Sequence, residues 1–256
     1  MIHYLFLLQF GLLPLLAFGD PRIIGTTTTA IIKDEPWFAT IRVRSDMKCS
    51  GAIISNNYIL TAANCVDHNA ARRVKVRIGT SSCKSGGSTV NICKIKIHDR
   101  FDFLTYDNNL ALLKTCEKIT ATDLIKPIER SDQIPTDNSQ ANVTGCGYRD
   151  PIWPGRFFLP KLPTEAHTGV VQIYNQNQCA ADWNIFSRTI WKKKISERSI
   201  CTKDRRIGAN SYDTGAPLVV NNKLVGILSS PGSVRKPDIY SNVIKHSDWI
   251  DSNIKE

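Results

Sequence analysis

Short β-forming runs, each cut off by turn residues, fill this chain, and they constrain its fold more than any other feature. A first series comprises Trp37 to Val43, Ala52 to Ser55, Tyr58 to Thr61, Val74 to Ile78, Thr89 to Ile97 and Leu110 to Leu113. A second comprises Ala141 to Thr144, Gly169 to Ile173, Pro217 to Val220, Leu224 to Leu228 and Ile239 to Val243. Many short strands at such spacing predict an all-β barrel or sandwich. The polar stretch Glu129 to Gln140, which holds Pro135, Asp137 and Asn138, reads as a connector between two β units. At the end the period changes. Ser247 can cap, and Ile244, Trp249, Ile250 and Ile254 share one helical stripe, which predicts a short helix over 246–255 docked on the second unit.

The first 19 residues are apolar from Tyr4 to Phe18, with small residues at Ala17 and Gly19, and read as a secretory signal ending at Gly19. A run of about 15 apolar residues falls short of the roughly 20 that span a bilayer, so no membrane anchor is expected. All eight cysteines lie beyond this leader. Export and an even count predict a disulfide framework. The cysteines show no CxxC pair and no histidine at zinc-finger spacing, so no structural metal is expected. The net charge of +10 favours acidic partners, and export directs that preference to proteins or sulfated glycans rather than nucleic acid. Asn142-Val-Thr is the one glycosylation sequon, and it falls on a predicted strand.

Six motifs then stand in order: Arg22-Ile-Ile-Gly25, Cys49-Ser-Gly-Ala-Ile-Ile-Ser55, Ile59-Leu-Thr-Ala-Ala-Asn64-Cys65, Tyr106-Asp-Asn-Asn109-Leu-Ala-Leu-Leu113, Val143-Thr-Gly-Cys-Gly147 and Ser211-Tyr-Asp-Thr214-Gly-Ala-Pro217. A terminal Pro237-Asp-Ile-Tyr240 segment follows them. Their order and spacing resemble the trypsin/chymotrypsin family of secreted serine proteases, over Ile23 to Lys255. The resemblance implies two antiparallel six-stranded β-barrels, over about 23–128 and 141–245, with a cleft between them and a short C-terminal helix. It also implies a short propeptide, 20–22, between the signal and a domain spanning 23–256.

The departures from that family carry the functional expectation. The chemistry needs a nucleophilic oxygen, an imidazole to take its proton and a buried carboxylate to hold the imidazole. Asn64 stands where the family motif TAAHC has its histidine, Asn109 where DNDIALL has its aspartate, and Thr214 where GDSGGP has its serine. An amide does not titrate near neutral pH, so Asn64 is no general base, and the Thr214 hydroxyl has nothing to activate it. Tyr212 occupies the glycine position of the oxyanion turn. Neither His68, His98, His167 nor His246 lies where it could replace the missing base.

By the same resemblance, Arg22-Ile23 is an activation site whose freed amine would pair with Asp213. Gly208 sits at the base of the specificity pocket, Asp238 in its wall, and Pro231 where a substrate-pairing strand loses an N–H. A closed pocket with Asp238 hydrogen-bonded is expected. Two family bridges map onto Cys49–Cys65 and Cys179–Cys201. Cys83, Cys93, Cys116 and Cys146 allow three pairings. The resemblance would put Cys93 and Cys116 on neighbouring strands, which favours that pair and leaves Cys83 for Cys146. Between Cys179 and Cys201 a long basic loop carries Arg188, Lys192, Lys193 and Lys194, and with Arg205 and Arg206 it makes a candidate binding patch.

The sequence therefore predicts a secreted serine protease homologue without catalysis, of the kind abundant in insects. It would act by binding another secreted protein, as a cofactor, scaffold or decoy in a reproductive or immune protease network. A heparin-type glycan module using residues 188–206 is the alternative, and a peptidase with a rearranged Thr214 site a remote one. No cofactor is called for.

Overall fold

The computed structural model describes residues 28–147, 163–184, 193–204, 208–232 and 236–254. The leader, the Arg22-Ile23 site, Arg188, Lys192, Arg205 and Arg206 lie outside the described residues. The strands in chain order are β1 (Thr28–Thr29), β2 (Phe38–Val43), β3 (Asp46–Ile53), β4 (Tyr58–Thr61), β5 (Val74–Ile78), β6 (Ser88–Ile97) and β7 (Ala111–Thr115). After the connector come β8 (Gln140–Gly145), β9 (His167–Tyr174), β10 (Ser199–Thr202), β11 (Pro217–Val220), β12 (Lys223–Ser230) and β13 (Asp238–Asn242). Two helices complete the set, α1 (Gln176–Asn184) and α2 (Ser247–Asn253).

Strands β2-β3-β4-β7-β6-β5 close one antiparallel barrel, and β9-β10-β13-β12-β11-β8 close another through the β8–β9 pairing. Closure leaves neither sheet with a free edge inside the barrel. Alternation decides which side chains go in. Val74, Val76 and Ile78 of β5 are buried while Lys75 and Arg77 turn away. Ala141 and Val143 of β8 join Val171 and Ile173 of β9 in the core of the second barrel. Two-residue turns set the register of the hairpins. Asn221 and Asn222 both have positive φ between Val220 and Lys223, the backbone a tight hairpin needs and asparagine tolerates.

Several links cross between the barrels. Strand β1 precedes the first barrel in sequence but pairs with β9 of the second. The Cys83–Cys146 disulfide joins a loop of the first barrel to the end of β8, and the Cys83 amide donates to Thr164 O at 2.8 Å beside it. Cys93–Cys116 spans β6 and the end of β7, and Cys49–Cys65 and Cys179–Cys201 complete four bridges, so the favoured pairing of the four remaining cysteines is the one formed.

Helix α2 does not rest on the second barrel alone, as its sequence position suggested. Ile250 is buried in the cluster that contains Leu60, Leu112 and Leu113 of the first barrel together with Val219, Leu224 and Ile227 on the outside of the second. Trp249 Nε1 donates to Asp99 Oδ2 at 3.1 Å, and its ring lies 4.7 Å from that of His98. His98 is buried against His246, edge-on at 5.3 Å. Burial, reinforced by His246, drives the His98 pKa down to about 4, with Arg100 adding to the fall and Asp99 and Asp107 opposing it.

His98 is therefore neutral in the folded chain, whereas it protonates near pH 6.5 when unfolded. The unfolded state binds the extra proton between those values, so this group's contribution is intact above about pH 6.5 and is lost as pH falls to about 4. The loss amounts to about 3 kcal/mol. Asp213, whose pKa burial raises to about 7, contributes with the opposite sign over the same range. The readout is therefore a difference: urea unfolding at pH 7 and pH 4.5 should show His98→Gln losing less stability on acidification, or gaining more, than the unaltered chain. An unchanged slope in the variant would assign the acid sensitivity elsewhere.

Candidate active-site cleft

The three positions aligned with the catalytic residues come together where the barrels meet. Asn64 lies in a 3-10 turn, Ala63–Cys65, just after β4. Asn109 precedes β7 and is fully buried. Thr214 follows a 3-10 turn, Ser211–Asp213, and leads into β11. The Thr214 carbonyl accepts from the Ser50 amide of β3 at 2.8 Å. Gly215, at φ +84°, is pressed so close to Ser50 O and Thr61 Oγ1 that a Cβ would sit 2.1 Å and 2.5 Å from them. Only glycine fits that turn.

Asn64 and Asn109 are tied to each other. Asn109 Nδ2 donates to Asn64 Oδ1 at 3.0 Å, and Asn109 Oδ1 accepts from the Asn64 backbone amide at 3.0 Å. Asn109 Nδ2 also reaches Ser229 Oγ at 3.0 Å and Ser229 O at 3.2 Å. The site is thus a neutral amide pair, Asn109 fully buried and Asn64 partly so, which avoids the desolvation cost of an ion pair there. Neither amide of the pair gains or loses a proton near neutrality.

Thr214 Oγ1 spends its proton on Ser211 O at 2.9 Å. The Tyr212 amide, which stands at an oxyanion-donor position, donates to Asn210 Oδ1 at 3.0 Å. Its backbone is in the helical turn, and its ring packs against the cluster of Phe38, Met47, Cys83 and Cys146. Asn210 and Asp213 form a reciprocal cap around this turn. Oxyanion stabilisation requires N–H groups aimed at the reacting oxygen before it arrives. Here the Tyr212 donor is turned onto its own chain. Sequence reasoning noted Tyr212 but missed Asn210 and Ser229. The Asn-x-x-Asp spacing of residues 210 to 213 is the helix-start signal that could have found the first. Ser229 has no such local signal.

Asp213 is fully buried. Its Oδ1 accepts from the Gly147 amide at 2.7 Å and its Oδ2 from the Asn210 amide at 2.9 Å. Burial raises its pKa to about 7, against the two amides that lower it and with Asp238 that raises it. A Cβ at Gly145 or Gly147 would lie within 2.2 Å of this carboxylate, so both glycines make room for it.

The sequence model of the family described as Trypsin matches residues 23–250. The chain belongs to the trypsin family. Hypodermin-A of Hypoderma lineatum is 34% identical over 220 residues, covering 85% of this chain and 80% of the relative. Trypsin delta of Drosophila melanogaster is 30% identical over 246 residues, covering 95% and 91%. Among solved structures, scabies mite inactivated protease paralogue S-D1 superposes with a TM-score of 0.80 at 26% identity, over 91% of this chain and 97% of that one.

Within this trypsin-family framework, Asp238, which the family resemblance assigns to the specificity-pocket wall, begins β13 and is buried. Its Oδ2 accepts from the Ala209 amide at 2.9 Å and lies 3.7 Å from where a Cβ on Gly208 would be, while its Oδ1 accepts from the Gly232 amide. Both carboxylate oxygens are engaged with backbone, in accord with the expected hydrogen-bonded role. Pro231 follows directly on β12.

Of the candidate basic patch, Lys193 and Lys194 are described. Lys194 and Arg198 both bind Asp107, at 2.8 Å and 3.0 Å. Burial pushes the Asp107 carboxyl up, but the hydrogen bonds and charges of Arg198 and Lys194 outweigh it and hold the pKa below its usual value. Lys193 lies over the Tyr106 ring, 3.1 Å from its centroid, and burial lowers its pKa to about 8. The two described lysines of the candidate patch therefore tie their segment to the Thr105–Asp107 loop, Lys194 while about half exposed.

Asn64→Ala should cost about 1–2 kcal/mol, because it removes the side-chain acceptor of the buried Asn109 amide. Denaturant unfolding measures this. No loss of stability would mean that the amide pair does not contribute to the fold.

Proposed function

We propose that this chain is a secreted trypsin-family protein that does not hydrolyse peptides and acts by binding another secreted protein. The observation that carries the reading is the Asn64–Asn109 amide pair in the place of a base and its carboxylate. Without a base, Thr214 keeps its proton, which goes to Ser211 O. Loss of the cooperating groups costs on the order of 10⁶ in turnover, about 8 kcal/mol of barrier. The inward Tyr212 amide removes an oxyanion donor as well. The scabies mite inactivated protease paralogue S-D1 supports the existence of such members on this fold.

Secretion is supported by the leader ending at Gly19 and by four disulfides, which persist in oxidising compartments. Cleavage after Arg22 would free Ile23 to approach Asp213. A protein partner is favoured over a sulfated glycan because Lys193 and Lys194 already have partners within the chain. A cofactor, scaffold or decoy in a secreted protease network fits a protein that keeps the cleft architecture and lacks its chemistry.

The test pairs a fluorophosphonate probe with substrate hydrolysis on the mature chain from Ile23. The expected result is neither labelling nor turnover, and labelling at Thr214 would overturn the reading. The combined change Asn64→His, Asn109→Asp, Thr214→Ser should stay far below a trypsin control, and adding Tyr212→Gly should raise activity by about 10²-fold or more, the usual worth of an oxyanion donor. Stoichiometric capture of a protein from the source secretion tests the binding half. Retention on heparin without any protein partner would favour the glycan alternative.

A further inference from the structure

The sequon Asn142-Val143-Thr144 lies wholly within β8, a setting that from sequence alone argues against its use. The structure resolves which way the asparagine faces. Strand alternation sends Ala141 and Val143 into the second barrel and leaves Asn142 exposed on the outer wall. Its direct partner on β9 is Val170, which is 45% exposed and is among the few large apolar side chains left in solvent. On the other side Asn142 pairs with Val219 of β11, five residues beyond Thr214. A substituent at Asn142 would therefore project outward from the wall of the second barrel, beside β11 and not at the turn that carries Thr214.

We infer that Asn142 carries an N-linked glycan. The inference rests on the reading of the chain as secreted, since the modification belongs to that pathway. The donor is an oligosaccharide linked through pyrophosphate to a lipid. Asn142 Nδ2 forms a bond to the anomeric carbon of the first sugar as that carbon's bond to the pyrophosphate oxygen breaks. The lipid pyrophosphate departs with the electron pair, and the proton lost from the amide goes with it.

The fold also sets when this happens. Thr144, whose hydroxyl completes the sequon, is buried, and its Oγ1 is 3.0 Å from Thr168 Oγ1. Thr168 Oγ1 in turn donates to Glu35 Oε1 at 2.7 Å. Asn142 is itself fixed between β9 and β11. An enzyme that must grip both residues of the sequon cannot do so once the barrel has closed. Transfer precedes closure of β8 against β9, and the outward side chain then lets the barrel close with the glycan in place. The first sugar would lie over Val170, the cross-strand neighbour.

The experiment is expression of the full chain in an insect-cell secretory host, followed by intact mass and peptide mapping of the secreted product. The expected product lacks the leader and carries one glycan on the peptide containing residue 142. The glycan should be absent from an Asn142→Gln variant, and the purified folded chain, made without a glycan in bacteria, should not accept one from the transferase. A secreted product with its leader removed and residue 142 unmodified would overturn the glycan while leaving secretion intact. A product retained in the cytosol with its leader attached would overturn the secretion reading and the glycan together. Modification of the prefolded chain would overturn the proposed order of events.

Discussion

The seam between the two barrels hangs on the turn at Thr214 and Gly215. The Thr214 carbonyl takes the Ser50 amide, and Gly215 packs without a side chain against Ser50 O and Thr61 Oγ1. This is backbone fitted to backbone, and no residue with a Cβ can replace the glycine without moving a barrel. Once that contact is fixed, Asn64 after β4 and Asn109 before β7 face the same cleft as Thr214. The Cys83–Cys146 bridge, the pairing of β1 with β9 and the helix α2 hold the same two bodies together from other sides. Geometry at the cleft is thus inherited from the fold and does not depend on the chemistry of the residues placed there.

That independence explains how the cleft accommodates three replaced residues without an unsatisfied buried charge. An imidazole and a carboxylate at these positions would attract one another. Here Asn109 is satisfied instead by neutral groups of residue 64, its Nδ2 donating to the Asn64 side-chain oxygen and its Oδ1 accepting from the Asn64 backbone amide, with Ser229 taking the remaining proton of Asn109. The network is neutral, so it needs no counter-charge. Asp213 is the remaining buried carboxylate of this region that the family pattern would pair with an amine, and two backbone amides already cover its oxygens. These hydrogen bonds tie the cleft residues of the two barrels to each other and to the backbone.

The basic segment before Cys201 shows the opposite case, where composition suggested more freedom than the fold leaves. A run of three lysines reads as a solvated patch. In the structure Lys193 covers the Tyr106 ring and Lys194 joins Arg198 on Asp107, because the buried carboxylate and the aromatic face offer better partners than water. Asp107 belongs to a motif that sequence reading treated only as the neighbourhood of Asn109. Helix α2 was likewise legible as an amphipathic stripe, but the identity of the surface under it was not.

What the sequence determined by itself was set by residue type and short spacing. Alternation marked the strands, the motifs marked the family, and the amides at 64 and 109 are side chains that do not titrate near neutral pH whatever their surroundings. Two disulfides followed from the family pattern, and the favoured choice among three pairings for the rest agrees with the bridges formed. Tertiary structure alone decided the partners. Asn109 meets Asn64 from 45 residues away and Ser229 from 120, the Tyr212 amide turns inward because Asn210 accepts it, and Asn142 faces out because of where β8 enters its barrel. Strand register and barrel closure choose among many equally polar partners, and that choice is made by packing over the whole chain, which no local stretch of sequence contains.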